Sequence, residues 1–161
     1  MIADARAVAE TVRDPELPML TLADLGVLRD VRLTETGVEV AITPTYTGCP
    51  AMAAMRADLT RALRDAGFDH VTVRTDLGAP WSTDWITESG RAALREAGIS
   101  PPGPAPDGPV PLTLGPVRRE VHCPHCGSGR TEPISEFGST ACRALYRCRD
   151  CREPFEHVKE I

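Results

Sequence analysis

Along the first hundred residues the apolar positions switch between helical and extended spacing. Ile2, Ala5, Val8, Ala9 and Val12 recur on one helical face over Ile2–Arg13, and the Asp14-Pro15 pair ends that run. Val27–Leu33 and Val38–Thr43 predict a hairpin closed by the turn from Thr34 to Gly37. Its second strand alternates cleanly at Val38, Val40 and Ile42. Over Pro50–Ala66 the spacing returns to helical: Met52, Met55, Leu59, Leu63 and Ala66 form one stripe. Arg56, Asp58, Arg61 and Arg64 lie outside it, and Gly67 ends the helix. A third strand over His70–Thr75 should bury Val71 and Val73, and a last helix runs from Thr83 to Ala97, closed by Gly98. The expected fold is therefore α+β, with three helices on a small mixed sheet.

The pattern then breaks. Pro101–Pro116 holds seven prolines and three glycines in sixteen residues, which suits neither an ordinary helix nor a central strand. It reads as an extended linker (101–116) between a first domain, 1–100, and a tail module, 117–161. The main large apolar groups of the tail are Ile134, Phe137, Leu145, Tyr146 and Phe155, too few for a self-sufficient core.

Cysteine spacing supplies what that core lacks. Cys123 and Cys126 form one Cys-x-x-Cys pair, Cys148 and Cys151 a second, with 21 residues between them. Each pair can aim two thiolates at one cation from a tight turn, and two pairs close a tetrahedral shell. Zn²⁺ is the ion expected, with iron as the minority alternative. A zinc ribbon of short strands fits the length, and its metal would contribute roughly 10–16 kcal/mol of apparent binding energy at neutral pH. His122 and His125 flank the first knuckle without being needed as ligands, and Cys142 is the odd cysteine of the tail. His157 has no evident role in the sequence.

Composition narrows the function. The net charge is −5, which argues against general affinity for nucleic acid or anionic membranes. Lys159 is the only lysine beside 17 arginines, a bias that genomic G+C content explains as well as phosphate recognition does. No apolar run reaches membrane-spanning length and the first residues lack a signal-peptide core, so a cytoplasmic protein is expected. That compartment favours metal ligation over disulfides.

In the first domain Cys49 stands out. It lies in Thr45-Tyr-Thr-Gly-Cys-Pro50, and Pro50 suits the first position of the following helix. Cys49 then falls at or near the N-cap, where unpaired N–H groups would lower its pKa and favour thiolate. The alternative is a small buried cysteine that only packs. His70 is a strand-edge histidine whose spacing does not require a partnership with Cys49. Trp81, Asp84 and Trp85 cluster at a helix start capped by Ser82 or Thr83. They could present a partner surface, or the tryptophans could anchor helix to sheet. Asp14-Pro-Glu-Leu-Pro18 and Asp24-Leu-Gly26 form turns whose acids serve equally well as caps or as ligands. A phosphate-cradling loop ending in Lys, a nucleophile elbow and a paired-carboxylate signature are all missing, so no catalytic site is identified.

Asp14–Pro18, Asp24–Gly26, Thr47-Gly-Cys-Pro50 and Pro80-Trp-Ser-Thr-Asp-Trp85 resemble, in order and spacing, the small domain of iron–sulfur assembly factors of the SufT type. Joined to Cys123-Pro-His-Cys126, the stretch Phe137–Tyr146 and Cys148-Arg-Asp-Cys151, the chain resembles the PaaD family, accessory components of bacterial phenylacetyl-CoA epoxygenase systems. The resemblance covers nearly the whole chain except the linker. It implies an accessory role in aerobic phenylacetate catabolism: maturing or inserting an iron or iron–sulfur centre in a partner component. The alternative is a structural adaptor of the oxygenase–reductase complex. It implies Cys49 as the cluster-handling thiol, binding iron or a cluster transiently. One cysteine cannot hold a cluster alone, so a homodimer or another component of the system would complete the shell.

Overall fold

The computed structural model describes residues 4–109, 112, 114–115 and 119–161. Ile2, Val110, Pro111, Thr113, Pro116 and Val117, which enter the expectations above, lie outside the described residues. The chain forms two compact units. One comprises residues up to Trp81 with Trp85–Gly90; the other comprises Ser82–Asp84 with Arg91–Ile161.

The first unit contains helix α1 (Ala5–Glu10), strands β1 (Leu28–Leu33) and β2 (Val38–Ile42), helix α2 (Met52–Asp65) and strand β3 (Val71–Thr75). The sheet order is β1-β2-β3, with β1 antiparallel and β3 parallel to the central strand. β2 buries Val38, Val40 and Ile42 on one face, and Ala41 beside half-buried Glu39 on the other. One wholly apolar face beside one that carries Glu39 is why its alternation shows in the sequence, while the edge strand β3 leaves Val71 and Val73 only half-buried. α2 packs along β3 and turns Met55, Leu59 and Leu63 inward, as the stripe requires. Arg56 reaches from α2 to the Val73 carbonyl at 2.8 Å, tying helix to strand. Gly67 ends the helix at φ 98°, a conformation that L side chains rarely adopt.

The last helix differs from its expectation. Thr83–Trp85 form a short 3₁₀ turn, and α3 begins only at Glu88 and runs to Glu96. Thr87 interrupts the run because it is used as a cap. Its Oγ1 accepts the Gly90 N–H at 3.0 Å, and its own N–H donates to the Asp24 carbonyl at 2.9 Å. Ser82 caps only the 3₁₀ turn, accepting the Asp84 N–H at 3.3 Å.

The second unit is a four-stranded sheet in the order β4-β7-β6-β5, made from β4 (Ile99–Ser100), β5 (Thr131–Ser135), β6 (Arg143–Cys148) and β7 (Pro154–Val158). β4 runs parallel to β7, and the other pairs are antiparallel. Ile99 and Ser100 therefore belong to the sheet of the second unit, and the compact units divide inside α3 rather than at residue 100. Among the described residues of 101–116 there is no helix or strand, as the prolines dictate. The start of that stretch is nevertheless held: Arg91 donates to the Pro102 carbonyl, and the Gly103 N–H donates to Glu160 at 3.0 Å.

The core of the second unit is Val121, Cys123, Ala144, Tyr146, Cys148 and Phe155. Tyr146 stacks on Phe155 at 6.1 Å between centroids and meets His157 edge-on at 5.6 Å. Of the tail's main large apolar groups, Ile134 and Phe137 are exposed. His157 is buried instead, its Nδ1 3.1 Å from Ser100 Oγ and its Nε2 3.0 Å from Glu160. Desolvation opposes ionisation of Glu160. The bonds from His157 and Gly103 outweigh it and hold the carboxyl at about 2.

Candidate metal centre and the Cys49 loop

The two Cys-x-x-Cys turns bring their four sulfurs within 4.8 Å of one another. Cys123 Sγ lies 3.7 Å from Cys151 Sγ, and Cys126 Sγ lies 3.6 Å from Cys148 Sγ. A tetrahedral ion with metal–sulfur bonds of about 2.3 Å needs sulfurs about 3.8 Å apart. The donor set therefore fits a single tetrahedral cation, with Cys123 and Cys148 facing the core and Cys126 and Cys151 facing solvent.

Both knuckles share one backbone plan. The Cys123 N–H donates to the Ser128 carbonyl at 2.9 Å, and the Cys148 N–H donates to the Glu153 carbonyl at 3.0 Å. Backbone donors then turn onto the sulfurs. The N–H groups of Cys151 and Asp150 bring the Cys148 thiol down to about 7 against its desolvation. Cys151 accepts the Glu153 N–H, but desolvation and the neighbouring sulfurs push it up to about 12. This crowding of sulfur on sulfur is what a bound cation relieves.

After its second cysteine each knuckle needs a left-handed residue. Gly127 fills the position at φ 75°, and Arg152 fills it at φ 67°. For arginine that conformation costs about 1–2 kcal/mol. We expect Arg152→Gly to raise the stability of the metal-loaded second unit by about 1 kcal/mol, after glycine's extra unfolded-state entropy is subtracted. Thermal unfolding of the zinc-loaded chain checks this, and a lower midpoint in the variant would contradict it.

His122 and His125 are exposed and stand outside the sulfur group, and His122 faces Glu120 at 4.0 Å. Cys142 is half-buried beside Thr140 Oγ1 at 3.1 Å and lies outside the group of four sulfurs.

Cys49 sits differently from its expectation. The N-cap of α2 is Ala51, in helical conformation and without a side-chain cap, and the helix starts at Met52. Cys49 lies in the preceding turn. Its N–H donates to the Tyr46 carbonyl at 3.3 Å, and its carbonyl accepts the Met52 N–H at 3.4 Å. Gly48 makes the turn possible at φ 80°. The Cys49 side chain is buried, and desolvation pushes its thiol up despite bonds from the Ala51 N–H and Thr45. The charges of Glu16 and Asp14 push in the same direction as burial. The expected lowering of its pKa is thus reversed: the desolvation of an interior sulfur exceeds what one aligned N–H returns.

Asp14 is a cap and not an open ligand, accepting the N–H groups of Glu16 at 2.8 Å and Leu17 at 2.7 Å. Asp24 accepts from Thr21 Oγ1, Thr87 Oγ1 and Ser89 Oγ. These bonds hold its carboxyl below the usual range against desolvation. The aromatic pair does not form the open surface that its sequence allowed. Trp81 is buried, with its indole N–H on the Leu25 carbonyl at 2.9 Å, and the Arg29 guanidinium lies 3.8 Å over the half-buried Trp85 ring. In the second unit, exposed Asp84 accepts the Ala105 N–H at 3.0 Å. His70 is exposed and uses its carbonyl for the Val38 N–H at 2.8 Å.

Residues 2–75, which include Cys49, match the model of an iron–sulfur cluster assembly protein family. Residues 107–159, which include all four ligand cysteines, match the PaaD zinc beta ribbon domain. A crystal structure of a domain of unknown function, DUF59, from Bacillus anthracis is similar in fold at TM-score 0.51 and 27% identity. The match covers 56% of this chain and 87% of that one. A protein of Escherichia coli (strain K12), named provisionally as one of the subunits of 1,2-phenylacetyl-CoA epoxidase, is 46% identical over 156 residues. That alignment covers 96% of this chain and 90% of the relative. The chain belongs to the PaaD family. In this PaaD chain the assembly-type fold carries Cys49, and the ribbon carries the metal-binding cysteines. Among the described residues no helix is long and apolar enough to cross a membrane. Sequence reading missed the buried Ser100–His157–Glu160 chain and the left-handed Arg152. The first depends on pairing between strands far apart in sequence, whereas the second had a signal in Gly127, its counterpart in the other knuckle.

Proposed function

We propose that this chain is an accessory protein of a phenylacetyl-CoA epoxidase system, one that matures or inserts an iron or iron–sulfur centre in a partner component. It carries zinc on Cys123, Cys126, Cys148 and Cys151, works in the cytoplasm and performs no oxygenation of its own. The observation that carries this reading is the assembly-family match over residues 2–75, a span whose one cysteine is Cys49. A thiol kept protonated by burial is a poor free nucleophile, but it can give up its proton on metal binding. Cys49 on its own offers one sulfur, so a second copy or the client completes the shell during transfer. The relative named for the epoxidase supplies the system in which such a client would be found.

A second reading, a structural adaptor without cluster chemistry, is favoured by the burial of Cys49. Cys49→Ser separates the two. Under the first reading, anaerobically purified wild type carries iron and acid-labile sulfide that the variant lacks. The variant also supports less than a tenth of the wild-type iron loading of co-expressed epoxidase components, while zinc stays near one per chain in both. Normal iron loading by the variant would favour the adaptor.

A further inference from the structure

The two knuckles are built alike but end on different residues, and the difference has a cost. Gly127 meets the left-handed position of the first knuckle without strain, whereas the second keeps Arg152 there. The fold would be better served by glycine, so the retained side chain points to a use outside the fold. That side chain lines a shallow cleft of about 360 Å³ together with Arg147, Arg149, Glu132 and Cys148. Three guanidinium groups thus share the cleft with one carboxylate. Arg149 takes that carboxylate, Glu132, at 2.9 Å. Arg147 stands opposite Glu132 on β5 and Pro154 on β7, is exposed, and forms no ion pair among the described residues. The same holds for Arg152.

We propose that this cleft docks an acidic segment of a protein partner, with two of its carboxylates on Arg147 and Arg152. Guanidinium groups bind carboxylates through paired N–H donors, which suits recognition of a chain that carries several. Glu132 disfavours a compact phosphate dianion in the same space. An extended segment can place its charges on the two unpaired arginines and leave Glu132 to Arg149. The net charge of −5 works against nucleic acid as the occupant. The four thiolates around a divalent cation carry a net charge of −2 beside Cys148, and arginines could serve only to balance it. A strained arginine is not needed for balance alone, and the test separates the two uses. The proposal rests on the accessory reading only in treating the ribbon as the partner-facing module.

The test is fluorescence anisotropy of a dye-labelled hexaglutamate peptide with the full-length, zinc-loaded chain at about 20 mM and about 200 mM salt. Three proteins are compared: wild type, the double variant Arg147→Gln with Arg152→Gln, and Arg64→Gln, which removes an exposed arginine of α2. We expect salt-sensitive binding to wild type, about tenfold weaker in the double variant and unchanged in Arg64→Gln. Zinc content should stay near one per chain in all three. Any of four results overturns the proposal: no peptide binding to wild type at low salt, equal losses in both variants, pyrophosphate binding without peptide binding, or zinc loss from the double variant. The last would assign the arginines to charge balance. Cluster handling is read from Cys49→Ser iron and sulfide, so absent peptide binding beside a normal iron result rejects the docking cleft alone.

Discussion

Replacing Cys148 by serine should strip the second unit of its metal and of the hydrogen-exchange protection of β5, β6 and β7. Cys148 is fully buried and is at once one of the four clustered sulfurs and part of the core. Its replacement leaves three thiolates and a hydroxyl whose proton a divalent ion does not displace near neutral pH. The backbone N–H groups of Cys151 and Asp150 then point at an atom that no longer carries charge. The remaining core has Tyr146 and Phe155 as its large aromatic members, which cannot offset the ordering of a sheet of this size. A structural zinc site contributes roughly 10–16 kcal/mol of apparent binding energy, more than such a unit has in reserve. Zinc per chain should fall well below one, and the amides of Thr131–Val158 should exchange at near-unfolded rates. Chelation of wild type should reproduce this result. Cys142→Ser is the control: its sulfur lies outside the group of four, so zinc and protection should both remain. Retained zinc and protection in Cys148→Ser would show that the fold does not depend on the four-sulfur centre.

The four-cysteine cluster was legible because its chemistry is local. Two Cys-x-x-Cys turns fix their own sulfur geometry, so spacing alone brings these four sulfurs together. The hairpin and α2 were legible for a related reason: β2 turns Val38, Val40 and Ile42 to one buried face and α2 buries one stripe, so burial imprints its period directly. Features that failed to show depend on distant partners. Thr87 breaks the last helix because Asp24 claims its N–H and hydroxyl, a contact spanning 63 residues. β4 is two residues long and exists only through β7. Cys49 lies in the turn before α2 and not at its N-cap, and its protonation depends on desolvation by the first unit, which a local reading of an N-cap does not contain.

Gly26→Ala should damage the first unit strongly. Asp24-Leu-Gly26 reads in sequence as a turn, and the structure adds why its last member has no side chain. Gly26 lies at φ 76°, and an added Cβ would stand 2.6 Å from Trp85 Cβ and 2.8 Å from the Trp85 carbonyl oxygen. Neither atom can rotate away, since one is backbone and the other is fixed to it. Relief requires moving Trp85 together with Leu25, whose carbonyl holds the Trp81 indole N–H. The left-handed conformation costs alanine about 1–2 kcal/mol, and forced overpacking adds about 1–3 kcal/mol. Urea unfolding followed by tryptophan emission should register a loss of about 3 kcal/mol or more. Gly48→Ala separates the two contributions, because Gly48 lies at φ 80° with nothing within 4 Å of an added Cβ. It should lose only the conformational part, about 1 kcal/mol after the gain from a stiffer unfolded chain. Equal losses at the two positions would mean that the approach of Trp85 to Gly26 contributes nothing to stability, and that the turn alone explains the glycine.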